Sequence, residues 1–112
     1  MSATLETQIA QGQLAREYWT SFASLLASHT AMRGIAQPEL LLKSQIRDDG
    51  SVELHTAHHT STVLPPDASG CAQWDGTPLH FTVDGEVVFD KAATAPSDME
   101  MAVEQILDRV CR

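Results

Sequence analysis

Basic residues are scarce in this chain: seven Lys and Arg stand against 15 Asp and Glu, a formal charge of −8. Affinity for phosphate backbones and for anionic membrane surfaces depends on Lys and Arg displacing counterions. The seven are also scattered, at Arg16, Arg33, Lys43, Arg47, Lys91, Arg109 and Arg112. Neither nucleic acid nor membrane is therefore expected as a partner. DNA mimicry would require acids in a phosphate-like row, and they are instead spread over helices and turns. Long apolar runs are missing too, and no stretch approaches the ~20 residues needed to span a bilayer. Met1–Gln13 lacks the basic start and apolar core of a secretory signal. Cysteine is limited to Cys71 and Cys111, which in a reducing compartment are expected to be free. The glycines are isolated, so no phosphate-cradling loop exists and no cofactor is expected. The expectation is a cytoplasmic protein, bacterial or phage in origin by its compactness.

What is present is turn chemistry. Asp49-Gly50 separates Leu40–Ile46 from Val52–Thr56, and Asp84-Gly85 separates Leu79–Val83 from Val87–Phe89. Asp-Gly between alternating apolar residues is a strong hairpin signal, because Gly accepts positive φ freely and Asp at lower cost than most. Ahead of them, Ala15, Tyr18, Trp19, Phe22, Leu25, Leu26 and His29 recur at three- and four-residue steps, predicting a helix over Leu14–Met32. Gly34 fits its C′ position. Gly12 weakens the segment before it, leaving residues 1–12 as a frayed or separate piece. At the other end, Ser97-Asp98-Met99-Glu100 reads as a capping box, followed by an apolar stripe through Met99, Val103, Ile106, Leu107 and Val110. Glu104 and Asp108 fall on its solvated side. The 112 residues thus read as a single α+β domain ordered α-β-β-(β)-β-β-α. Its mainly antiparallel sheet has four to five strands, with both helices on one face.

Register follows from side-chain faces. A three-residue loop Asp48-Asp49-Gly50 pairs Ile46 with Val52, Ser44 with Leu54 and Leu42 with Thr56, which keeps charge and hydrocarbon apart. The first strand is expected to open at Glu39. In the second hairpin a two-residue Asp84-Gly85 turn pairs Phe81 with Val88, whereas a three-residue loop pairs Val83 with Val87 and Phe81 with Phe89. Between the hairpins, Ala57–Pro78 reads as a long irregular loop carrying a β-prone Thr60–Leu64, with Pro65-Pro66 as its stop and Trp74 as a lid.

No motif specifies a reaction. The histidines are the one constellation with chemical content: His55, His59 and His80 share a face if the hairpins are adjacent in the sheet, and three such groups can bind zinc. Their spacing matches no defining metal motif. Cys71 with a histidine and Asp67 or Asp75 offers a nominal nucleophile, but without the strand-to-helix elbow such sites use. A sheet face that is only partly polar suits association instead, with Leu41, Trp74, Val87 and Phe89 as the candidate contacts. The expected function is that of a non-enzymatic acidic binding or regulatory protein, of chaperone-, immunity- or inhibitor-like class. It would engage a protein partner through its sheet or middle loop and form a homodimer. The alternative is a small-ligand-binding or metal-dependent enzyme that uses His55, His59 and His80 with the 67–75 loop.

Overall fold

Helix α1 (Gly12–Ala36) buries Ala15, Trp19, Phe22 and Leu26 of the expected stripe together with Ala23 and Thr30, which it did not include, while Tyr18, Leu25 and His29 are half-buried. It runs past Gly34, which is therefore not a C′ residue. A Cβ there would lie 3.0 Å from the Leu42 carbonyl oxygen, so this glycine lets helix and strand approach closely. The computed structural model describes residues 9–89 and 95–112. After α1 come a 3-10 turn (Pro38–Leu40) and strands β1 (Lys43–Ile46), β2 (Val52–His55), β3 (Thr60–Leu64), β4 (Cys71–Trp74), β5 (Thr77–Phe81) and β6 (Val87–Phe89). Helix α2 (Met99–Val110) follows. The fold is α+β with a six-stranded antiparallel sheet, in place of the four to five strands expected, in the unbroken order β1-β2-β3-β4-β5-β6.

The extra strands come from the middle of the chain. Asp75 and Gly76 both take positive φ, at 49° and 88°, as a two-residue hairpin of mirror-image turn type requires. Trp74 then pairs with Thr77 and Cys71 with His80. Half of Ala57–Pro78 is therefore sheet, and Trp74 is a strand residue and not a lid. Pro78 is tolerated inside β5 because its missing N–H faces away from β4, so the β4–β5 ladder loses no hydrogen bond.

The first hairpin has the expected register, with Ile46 opposite Val52 and Ser44 opposite Leu54. In the other, Phe81 faces Val87 and Leu79 faces Phe89, which neither expected register gives. Its loop is Val83-Asp84-Gly85, closed by the Thr82 N–H on the Glu86 carbonyl (2.8 Å) and the Gly85 N–H on the Thr82 carbonyl (3.0 Å). Glycine stands third in that loop, as it does in Asp48-Asp49-Gly50, where Arg47 N–H reaches Ser51 O at 2.8 Å. The β3–β4 connection ends in the same way, with the Gly70 N–H on the Asp67 carbonyl at 2.9 Å. Glu39 lies in the 3-10 turn and not in a strand, since Pro38 starts that turn and Leu41 ends it in the left-handed region.

Alternation then sorts the sheet into two faces. Val52, Leu54, Val63, Ala72, Trp74, Leu79, Phe81 and Val87 are buried under the helices. Phe81 meets Phe22 edge-on at 5.6 Å between centroids, and Trp19 lies 6.5 Å from the same ring. From α2, Ala102, Val103, Ile106, Leu107 and Val110 complete this core. The cap of α2 is Asp98, whose carboxylate accepts the Met101 N–H at 2.7 Å. Ser97, expected to cap, instead exchanges backbone hydrogen bonds with Val87 (2.7 and 2.9 Å). Helix α1 also latches two of the loops: Trp19 Nε1–H donates to Gly50 O at 2.8 Å and Tyr18 O–H to Val83 O at 2.6 Å.

Candidate interaction surface

The two rims of the sheet differ. At β6 the rim is bridged by Ser97. At β1 no described residue pairs with the rim. Because Arg47 bonds Ser51, the alternation of an antiparallel ladder places Gln45 and Lys43 in bonded pairs with β2. Ser44 and Ile46 consequently turn their backbone N–H and C=O groups outward. Ile46 is 50% exposed although it stands on the core side of the sheet. Just before β1, Leu41 is 62% exposed and holds φ at 53°. A left-handed leucine carries a steric cost of about 1–2 kcal/mol. An apolar side chain is thus held in water, in a strained backbone, at the mouth of an open strand edge.

Of the four expected contact residues, Leu41 is the exposed one. Val87 is 1% and Trp74 6% exposed, both in the core, because the pairing of β5 with β6 turns Val87 to the helix side; Val88, on the opposite face, is itself only 3% exposed. Phe89 is half-buried against Trp74, with centroids 5.9 Å apart.

The structure does not bring the three histidines together. His55 and His80 lie on the same face but on β2 and β5, with β3 and β4 between them. Three strand spacings across and roughly six residues along separate them by about 14 Å and about 20 Å. His59 is exposed in the β2–β3 turn, where its carbonyl accepts the Thr56 N–H at 2.9 Å. His58 and His59 line a cavity of about 50 Å³ with Glu39 and Cys111, far too small for a substrate. Among the described residues no group of three or more His, Cys, Asp or Glu side chains is placed to hold a metal ion. His55 has other company: Nε2 lies 3.2 Å from Glu53 Oε1 and Nδ1 3.1 Å from Thr60 Oγ1, while Arg47 pairs with the second Glu53 oxygen. Cys71 and Cys111 are both free thiols. The loop before Cys71 is held by its own aspartate: hydrogen bonds from Ser69 and from the Cys71 N–H keep the Asp67 carboxyl below its ordinary range. Asp49 is lowered in the same way, by the Ser51 hydroxyl and backbone N–H.

A charged cluster the sequence did not reveal joins the helices. His29 Nδ1 lies 2.6 Å from Glu104 Oε2, and Arg33 reaches Glu104 Oε1 at 2.5 Å and Asp108 Oδ1 at 3.0 Å. Glu104 and Asp108 therefore face α1 across the helix pair and not open solvent alone. Burial draws Arg33 down, but hydrogen bonds with Cys111 and Asp108 and the charges of Glu104 and Asp108 outweigh it and leave its pKa raised. The depression over this cluster is wide and shallow, and no serine, threonine or cysteine is among its described lining residues.

Fold and surface together define the class: an α+β protein whose described residues form two helices on one face of a six-stranded meander, with no described residue paired to the outer edge of the first strand. No protein-family model, curated protein or solved structure matches the chain.

Proposed function

We propose that the protein is a non-enzymatic binding or regulatory protein that associates through the β1 edge, its first partner being a second copy of itself. The observation that carries this reading is Leu41, strained and exposed beside outward-facing backbone groups. Open strand edges pair readily unless they are blunted. Lys43 is the single charge within β1, and a two-fold register about Ser44 sets it against an uncharged residue.

A two-fold axis at Ser44 suits the edge. Antiparallel β1 strands would then place Leu42 against Ile46 of the second copy on the core side, and Lys43 against Gln45 on the other. No like charges oppose, and the half-exposed Ile46 gains an apolar neighbour. Such an assembly continues the sheet across two chains and leaves its outer face for a further protein partner. Residence in the cytoplasm belongs to the same proposal; no described helix is long and apolar enough to cross a membrane.

Light scattering on the purified protein tests it. A dimer is expected for the wild type and a monomer for Ser44→Pro, whose lost N–H points outward and not to β2, and for Ile46→Lys. A wild-type monomer at tens of micromolar, or variants that remain dimeric with native circular dichroism, refutes the edge as the interface.

A further inference from the structure

A second surface is built where α2 crosses the far strands, well away from β1. A cleft of about 160 Å³ lies there, lined by Trp74, Thr77, Phe89, Gln105 and Arg109. Two donors of its lining residues have no acceptor among the described residues. Trp74 Nε1–H is sealed from water and has no hydrogen-bond partner, whereas the other indole, Trp19, spends its N–H on Gly50 O. Buried N–H groups are almost always satisfied, so an orphan marks a position where an acceptor belongs. Arg109 is the second donor. Its guanidinium stands 5.2 Å from the centroid of the Trp74 ring, yet no carboxylate of the described residues pairs with it. That is notable in a chain of charge −8, where Arg33 holds two carboxylates and Arg47 one.

We propose that this cleft binds a carboxylate. A guanidinium fork and an indole N–H both call for an oxygen acceptor, and a negatively charged one satisfies both. The Trp74 and Phe89 rings give the carbon skeleton of the ligand apolar walls, with the Thr77 hydroxyl and the Gln105 amide beside them. Access to the indole N–H requires side-chain movement at the rim, and the rim is built from exposed Gln105 and Arg109. The volume is below that of a site for a drug-sized molecule. It fits one carboxylate-bearing group of a few heavy atoms, supplied by a small free acid or by the C-terminal residue of a peptide. The proposal is independent of the β1 edge.

The indole N–H of Trp74 reports on it directly. In ¹⁵N-labelled protein its signal is assigned by its loss in Trp74→Phe. The probes are sodium benzoate, benzamide, sodium chloride, and acetyl-Gly-Gly-Phe as the free acid and as the amide, each up to tens of millimolar. The signal is expected to move with benzoate or with the acid peptide, and not with benzamide, the peptide amide or chloride. In exposed Arg109→Gln the affinity is expected to fall at least tenfold, as roughly one charge-assisted hydrogen bond implies. A response to benzoate alone assigns the site to free acids, and a response to the acid peptide alone assigns it to polypeptide ends. No shift with either acid, an equal shift with chloride (an adventitious ion only), or an unchanged affinity in Arg109→Gln overturns the proposal.

Discussion

Substituting Gly70 by alanine tests the way the chain enters its first helix. Gly70 has φ at 89°, and a Cβ built on it would lie 2.3 Å from the Ala10 carbonyl oxygen. Ordinary contact needs about 1 Å more, which is large for a close-packed interior. The neighbour is backbone, and it is held: the Ala10 N–H donates to Phe81 O at 2.8 Å and Ala10 is 1% exposed. The variant therefore combines about 1–2 kcal/mol of left-handed strain with loss of a hydrogen bond worth about 0.5–1.5 kcal/mol. Unpacking around Ala10 adds to both. The expected total is about 3–4 kcal/mol, a large part of the ~5–15 kcal/mol by which such domains are stable. Gly76 provides the control. Its φ is 88°, but a Cβ there meets nothing within 4 Å, so Gly76→Ala is expected to cost only the strain, about 1–2 kcal/mol. Urea denaturation of the two variants isolates the contact with Ala10. In thermal melts each kcal/mol corresponds to about 4 °C for a chain of this size. If Gly70→Ala and Gly76→Ala lose equal stability within about 0.5 kcal/mol, the crossing of Ala10 over the β3–β4 turn is refuted.

Trp19→Phe keeps the ring contacts but removes the hydrogen bond to Gly50 O, and is expected to cost about 1 kcal/mol. Hydrogen exchange should quicken in residues 47–51 before it does elsewhere; uniform change would count against the latch. Phe22→Ala, at a fully buried position between Trp19 and Phe81, is expected to cost about 3–5 kcal/mol in chemical denaturation. Asp49 and Asp67 have folded pKa values below the ordinary 3.8. Each therefore contributes stability that is present above pH 3.8 and lost as the pH falls through its lower folded value. Asp49→Asn with Asp67→Asn should flatten that acid limb of the stability curve, and an unchanged limb would refute the assignment.

Local patterns were legible where one residue type carried the geometry. The 3.6-residue stripes located both helices, and Asp48-Asp49-Gly50 set the register of the first hairpin because its faces separate cleanly. In the other hairpin Val87, Val88 and Phe89 are all apolar, so face pattern could not choose. The decisive signal was glycine's place as third residue of the loop, which was there to read. Cys71–Trp74 carries little strand signal for a similar reason: four residues with one polar member hardly alternate, and the Asp75-Gly76 turn beside them lies in a stretch whose composition suits a loop. Of the candidate contacts, Leu41 lies on the surface its strained backbone now explains, whereas Val87 and Trp74 turned inward once the true pairing was in place. Two intervening strands decided the histidines, since β3 and β4 hold β2 and β5 apart. The Arg33–Glu104 and His29–Glu104 contacts join residues more than seventy positions apart, and no local spacing announces them.

The neighbour-only order of the strands shapes how the molecule assembles. Each of the six can be added by closing a short turn on the strand just made, a route of low entropic cost that favours fast growth of the sheet. The helices stand at opposite ends of that growth, so their mutual contact closes nearly the whole chain. It is therefore the least local event in folding. Deleting it through Glu104 should speed unfolding far more than it slows folding, and the sheet would be the nucleus on which the helix pair is the final clasp.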